Sequence, residues 1–250
     1  MNPSTSPRPF TSAHVRANIV KILLIVGAIA AGMSLLADAL SLAFPPLTED
    51  QELADNVTGA ALMFITFLLA VVELVIYVAT VVFFCMWLYR AYGNLRAFNP
   101  SQRLDYSPGW AVGSFFVPFV NLILPYRAVK EVWQKSVPPD ELLLSKPGPP
   151  ASFPIWWLFW LLASIAGNIS MRASFNEKVS ESTAAMISIV AGALSIVAAF
   201  FAWLVVDAID KRQQETSARI NLGNFSGPPP PPPNLPMLDL GERQNHVSPL

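Results

Sequence analysis

Residues 59–89 read GAALMFITFLLAVVELVIYVATVVFFCMWLY, and a single charged side chain, Glu73, interrupts the run. A hydrocarbon core about 30 Å thick needs about 20 apolar residues in a helix to cross it, and this run exceeds that length. In lipid every backbone N–H and C=O must find its partner inside the segment or in a closed barrel. The run lacks the period-2 alternation of a barrel strand, so it predicts a transmembrane helix.

Three further runs share this character. One covers about 19–44, with Lys21 near its start and Asp38 near its end; another covers 154–171 and opens with Trp156, Trp157, Phe159 and Trp160. The last covers 184–206 and is closed by Asp207. Ala37-Asp38-Ala39 resembles a small-residue cleavage site, but the polar leader is long and three spans follow, so the first run is read as a retained anchor. Composition agrees: 53% of the 250 residues are apolar and 13% charged, about half the charged share of soluble domains. The expected fold class is therefore an all-α membrane protein with four transmembrane helices.

A fifth apolar segment, Trp110 to Leu124, is 15 residues long and carries Pro118 and Asn121. Spanning helices run to about 17–25 residues, so this one is expected to re-enter or lie at the interface. The distribution of Lys and Arg tests that expectation. If the segment does not cross, fourteen of the sixteen basic residues fall on one side, leaving Arg172 and Lys178 on the other. If it crosses, the division is eight and eight. The four-span arrangement follows, with both termini and the loop after Arg90 cytoplasmic. All seven tryptophans (87, 110, 133, 156, 157, 160 and 203) then lie near the cytoplasmic boundary, which no interfacial rule requires.

After Pro125 the pattern becomes amphipathic, with Tyr126, Val129, Val132 and Trp133 at helical spacing and Arg127, Lys130, Glu131 and Lys135 between them. A surface helix is expected there, with Arg127 and Glu131 four apart and able to pair. The resulting organisation is a disordered tail over 1–16, a transmembrane domain over 17–209 containing the re-entrant or interfacial element 108–136, and a cytoplasmic tail over 210–250. That tail carries six prolines, 228–233, which adopt polyproline II and serve as a stiff spacer or as a ligand for a polyproline reader. The Pro-rich stretch Val137–Ala151 is expected to be disordered as well.

Several short motifs stand close together: WLYRAYGNLR at 87–96, SPGWAVG at 107–113, VPFVNL at 117–122, Pro125-Tyr126-Arg127, and Glu131-Val132-Trp133. In combination they resemble the bacterial multi-pass membrane proteins grouped as domain-of-unknown-function family 4328, over roughly Phe83 to Ser136. The resemblance implies a bacterial inner-membrane protein and implies no activity.

The residues themselves exclude several functions. A net charge of −1 and the absence of a basic field argue against nucleic acid. Cys85 is the one cysteine, and His14 and His246 sit in opposite tails, so no metal set, cofactor or His-based catalysis is expected. No nucleotide loop, triad or zincin motif occurs. The chain is not expected to be an enzyme.

Glu73 is the most informative single residue, because a carboxylate at mid-membrane is costly unless paired or protonated. Thr66, Glu73, Tyr77 and Thr80 fall within an arc of about 60° on one helix, and Trp87, Arg90 and Asn94 extend that side. The stripe reads either as an ion or solute path or as a buried carboxyl bonded to a neighbouring helix near Asn168 or Ser34. Asn121 between Pro118 and Pro125 reads either as a cavity-lining re-entrant turn or as a hairpin plugging the cytoplasmic end. Arg90 is expected to lock that hairpin by donating to carbonyls or to Glu131. Small-residue stripes, Ser188-Gly192-Ser195-Ala199 and Ala163-Gly167, suit close helix packing within the chain or with a second copy or another membrane protein. The leading functional expectation is a non-enzymatic binding, scaffold or regulatory component whose partners include the lipid bilayer, with the Trp87–Ser136 module, including Trp110 and Trp133, as its working face. The alternative is a small transporter or channel subunit using Glu73.

Overall fold

The computed structural model describes residues 9–43, 52–138 and 148–225. The polyproline run and the acidic residues Glu49 and Asp50, between the first two apolar runs, lie outside them. The elements in chain order are α1 (His14–Ala43), α2 (Glu52–Phe98), α3 (Pro108–Gly113), two 3-10 turns (Ser114–Phe116 and Val120–Leu122), α4 (Leu124–Lys135), α5 (Ser152–Ser174) and α6 (Glu181–Phe225). Helices α1, α2, α5 and α6 are each long and apolar enough to cross a membrane, and the described residues contain no strand.

Two of these helices run well past the lipid. At 1.5 Å per residue, the 47 residues of α2 reach about 70 Å, more than twice the hydrocarbon thickness. The continuation is helical because Ala91, Tyr92, Leu95 and Phe98 recur at three-to-four-residue spacing and are buried. The 45-residue α6 continues likewise through Ile209, Gln213 and Thr216, all buried. The N-terminal segment is shorter as a tail than expected: α1 begins at His14, and Phe10 stacks on Phe98 with ring centroids 5.4 Å apart. Val137, in the stretch expected to be disordered, is also buried.

Helix α1 packs between α2 and α6, and α6 packs against α5. Close approach depends on glycine at two points. A Cβ on Gly27 would meet Ile76 of α2 at 3.5 Å, and one on Gly192 would meet Leu35 of α1 at 3.8 Å. The small-residue stripe of α6 thus receives α1. Gly167 on α5 has no neighbour within 4 Å of such a Cβ.

The segment 110–124 does not form a spanning helix. Ser107 caps α3 by accepting from Trp110 N at 3.1 Å, and Pro108 occupies the first turn. The chain then reverses at Pro118-Phe119, where Phe119 takes φ 64°, a region costing a non-glycine residue about 1–3 kcal/mol. Backbone groups freed by the break are used locally: Asn121 N donates to Val117 O at 3.0 Å and Val120 N to Pro118 O at 2.7 Å. Trp157 Nε1 of α5 caps Leu122 O at 3.1 Å, so the irregular backbone finds its partners within the protein. Both legs of this hairpin pack at the same end of the bundle, α3 on α2 and α4 on both α2 and α5.

The glycine contacts predict an asymmetric response. Gly192→Ala should be tolerated, because its Cβ meets Leu35 at ordinary van der Waals distance, whereas Gly192→Leu should overpack the α1–α6 seam and cost about 1–3 kcal/mol, read as a lowered unfolding midpoint in detergent.

Candidate functional site: a buried polar clasp at one end of the bundle

The start of α1, the end of α2, the hairpin, the start of α5 and the end of α6 converge on one core. Trp87, Leu88, Tyr92, Leu95, Val129, Val132, Phe153, Trp156, Val205 and Ile209 are buried there together. Pro125 enters α4 at its first turn and is fully buried. The aromatic residues form a continuous chain: Phe84 on Trp87, Phe115 and Trp156, and Phe115 in turn on Trp157 and Trp160. Tyr126 lies against Trp157, and Trp133 against Phe153 at 5.5 Å. Most of the one-sided tryptophans therefore serve as core of this end, beyond any interfacial role.

Two polar networks run through this core. In the first, Glu131 is 4% exposed. Its Oε2 accepts from Tyr92 Oη at 2.5 Å. Its Oε1 accepts from Lys135 Nζ at 2.5 Å and from Asp105 N at 2.8 Å. Tyr92 Oη accepts from Tyr106 N at 2.9 Å, and Lys135 also donates to Arg103 O. Loop 99–107 is thereby tied down on both α2 and α4. In the second network, the buried Asn94 accepts from Thr11 N at 3.4 Å and donates to Thr11 O at 3.0 Å and Gln213 Oε1 at 3.2 Å. Gln213 donates to Ala91 O and to Ser136 Oγ, and Thr216 donates to Ser136 O. Four separate parts of the chain meet on this side-chain amide pair.

A charged row joins α1 to α6 beside these networks. Lys21 pairs with Asp207 at 2.9 Å, Lys211 with the same carboxylate at 2.7 Å, and His14 Nδ1 with Asp210 at 2.7 Å. Arg212 lies over the Trp133 ring at 4.3 Å.

Among the described residues Arg90 makes no hydrogen bond or ion pair with the hairpin. It is half-buried, and Glu131 takes its partners from Tyr92, Lys135 and the loop backbone instead. Arg90 stands two residues before Tyr92, about 200° away around the helix, so it faces away when Tyr92 faces α4. Arg127 is exposed, and the helical ion pair of Glu131 is made one turn on, with Lys135.

The polar stripe of α2 is divided. Ser34 Oγ of α1 donates to Glu73 Oε1 at 2.5 Å, which is the bonded alternative with Ser34 as partner. Tyr77 is 66% exposed, turned outward, and Thr80 donates to Ile76 O of its own helix. The Thr66 side chain lies outside the described residues. Asn168 donates to Ser164 O on α5. Asn121 is half-buried, Pro118 is exposed, and Trp110 is 45% exposed. Among the described residues no three His, Cys, Asp or Glu side chains are grouped so as to hold a metal, and Cys85 is a half-buried free thiol.

A family model described as Domain of unknown function (DUF4328) matches residues 50–211. The chain belongs to this family. No curated protein and no solved structure matches it. The DUF4328 match takes in α2, the hairpin, α5 and α6 as far as the Asp207–Lys211 pair, so it includes the whole Glu131 network but leaves α1, Thr11, Gln213 and Thr216 outside. Sequence reasoning missed Gln213, Thr216 and Ser136, although Val206, Ile209, Gln213 and Thr216 continue the three-to-four-residue spacing beyond the last span.

Tyr92→Phe should remove a donor to the buried Glu131 and an acceptor for Tyr106 N, at a cost of about 1–3 kcal/mol. Arg90→Lys should leave the unfolding midpoint in detergent unchanged. A silent Tyr92→Phe beside a destabilising Arg90→Lys would reverse the assignment.

Proposed function

We propose that this DUF4328 protein is a non-enzymatic binding or scaffold component of the bacterial cell membrane, with the Trp87–Ser136 module as a cytoplasmic working face. The observation that carries this reading is the division of labour within the module. Its polar motif residues are satisfied inside the protein, Tyr92 by Glu131, Glu131 also by Lys135 and the Asp105 backbone, and Asn94 by the Thr11 backbone and Gln213, which fits a structural role. Its outward residues are large and apolar: Phe116 is 65% exposed, Phe119 85% and Ile123 54%. Apolar side chains presented at a hairpin tip suit insertion into one leaflet, while Arg127 and Lys130 on α4 suit its head groups. The cytoplasmic placement rests on the distribution of Lys and Arg.

A transport role is the second reading, supported by the Ser34–Glu73 hydrogen bond within the apolar stretch. It asks for a continuous polar path, whereas Tyr77 turns outward and Thr80 bonds its own backbone.

Two measurements test the placement of the module and the choice between these readings. In a Cys85→Ser background, Ser145→Cys should react with an impermeant thiol reagent only after cells are opened, and Asn176→Cys should react in intact cells; the reverse pattern would invert the face. Reconstituted protein should add no proton flux to liposomes, and a flux lost in Glu73→Gln would establish the transport reading.

A further inference from the structure

Helix α5 presents a face that no other described part of the chain covers. Phe159 stacks on Phe201 of α6, and Asn168, nine residues on, lies about 180° around the helix from it. On that far side a groove of about 350 Å³ runs along α5, lined by Asn121, Leu122, Trp160, Ile165, Asn168 and Arg172 among others. Its walls are mostly apolar. Arg172 stands at one end, exposed and in no ion pair with a carboxylate among the described residues. Asn168 uses one amide hydrogen on Ser164 O, which leaves the second for another acceptor.

The groove is blind. At its other end the hairpin tip abuts α5, held by the Trp157 Nε1 bond to Leu122 O, and Phe119 projects there 85% exposed. A spanning partner helix needs the full length of a face, and the tip obstructs this one. From Trp160 to Arg172 the open length is about 18 Å at 1.5 Å per residue. One leaflet's share of the hydrocarbon core is about 15 Å. A leaflet-length amphiphile with an anionic head fits where a helix does not.

We propose that this groove binds one anionic phospholipid from the leaflet at the Arg172 end. The guanidinium takes the phosphate, for which its planar fork is suited. Asn168, one turn deeper, donates to an ester carbonyl, and an acyl chain runs past Ile165 to stop at Trp160 and Leu122.

The test uses the full-length protein, delipidated in detergent, titrated with dioleoyl phosphatidylglycerol or dioleoyl phosphatidylcholine, and read by native mass spectrometry. Wild type should retain one phosphatidylglycerol per chain in preference to phosphatidylcholine. Arg172→Gln should weaken retention at least tenfold. Ile165→Trp, which fills the groove without touching the charge, should do the same, and both variants should keep the wild-type unfolding midpoint. Lys178→Gln, the other basic residue at that end, should bind as wild type. Equal retention by wild type and Arg172→Gln would overturn the proposal, as would undiminished binding in Ile165→Trp or displacement of the lipid by soluble glycerol phosphate. A detergent-stable dimer dissolved by Arg172→Gln would also overturn it, by making the occupant a second copy.

Discussion

The carboxylate of Glu131, 4% exposed, accepts from Tyr92, Lys135 and the backbone of Asp105 at once. A buried carboxylate with fewer partners would be strongly destabilising, because its desolvation is offset only by good geometry and saturated hydrogen bonds. That requirement constrains everything near it. Loop 99–107 must lie where Asp105 N and Tyr106 N can reach, so α3 starts beside α2. Helix α4 must lie against the end of α2, so the apolar segment between α3 and α4 has to turn back. The strained φ of Phe119 is the local consequence of that reversal.

With the hairpin returned, packing among the described residues is densest at one end of the bundle. Nearly all fully buried large side chains, from Trp87 to Ile209, belong to the clasp. Further along, α1, α2 and α5 turn Ile29, Leu36, Phe67, Val75, Leu162 and Ile165 outward, as helices bathed in lipid do, since lipid tails are as apolar as the side chains and supply no hydrophobic drive to pack. Close approach at Gly27 and Gly192 and the Ser34–Glu73 hydrogen bond are among the contacts that hold the helices there. The same open arrangement leaves the Arg172 face of α5 uncovered by the described residues.

Helix α1 occupies a particular place in this scheme. It lies outside the family match over 50–211, yet its Lys21 and His14 meet Asp207 and Asp210, and the segment before it meets Asn94. Without α1, Asp207 would lack a cation from another helix and Asp210 would lose its hydrogen-bond partner there. Docking of α1 therefore completes a set of acceptors that the matched region already presents.

Four apolar runs, the short fifth one and the amphipathic stretch after Pro125 were legible from the residues alone, because hydropathy and span length are local properties that a bilayer reads one helix at a time. Asn94 was legible as important, since a polar residue continuing the buried face of a long helix needs a partner. Its partners were not, because Thr11 and Gln213 are 83 and 119 residues away. The choice of Tyr92 and Lys135 over Arg90 and Arg127 for Glu131 was likewise invisible. Helical spacing says which residues share a face, but which face turns inward depends on how α2, α4 and α6 pack. Local hydropathy thus says how many helices are long and apolar enough to cross and where the chain breaks, whereas packing alone settles which polar groups meet, because a buried carboxylate or amide selects partners by three-dimensional reach.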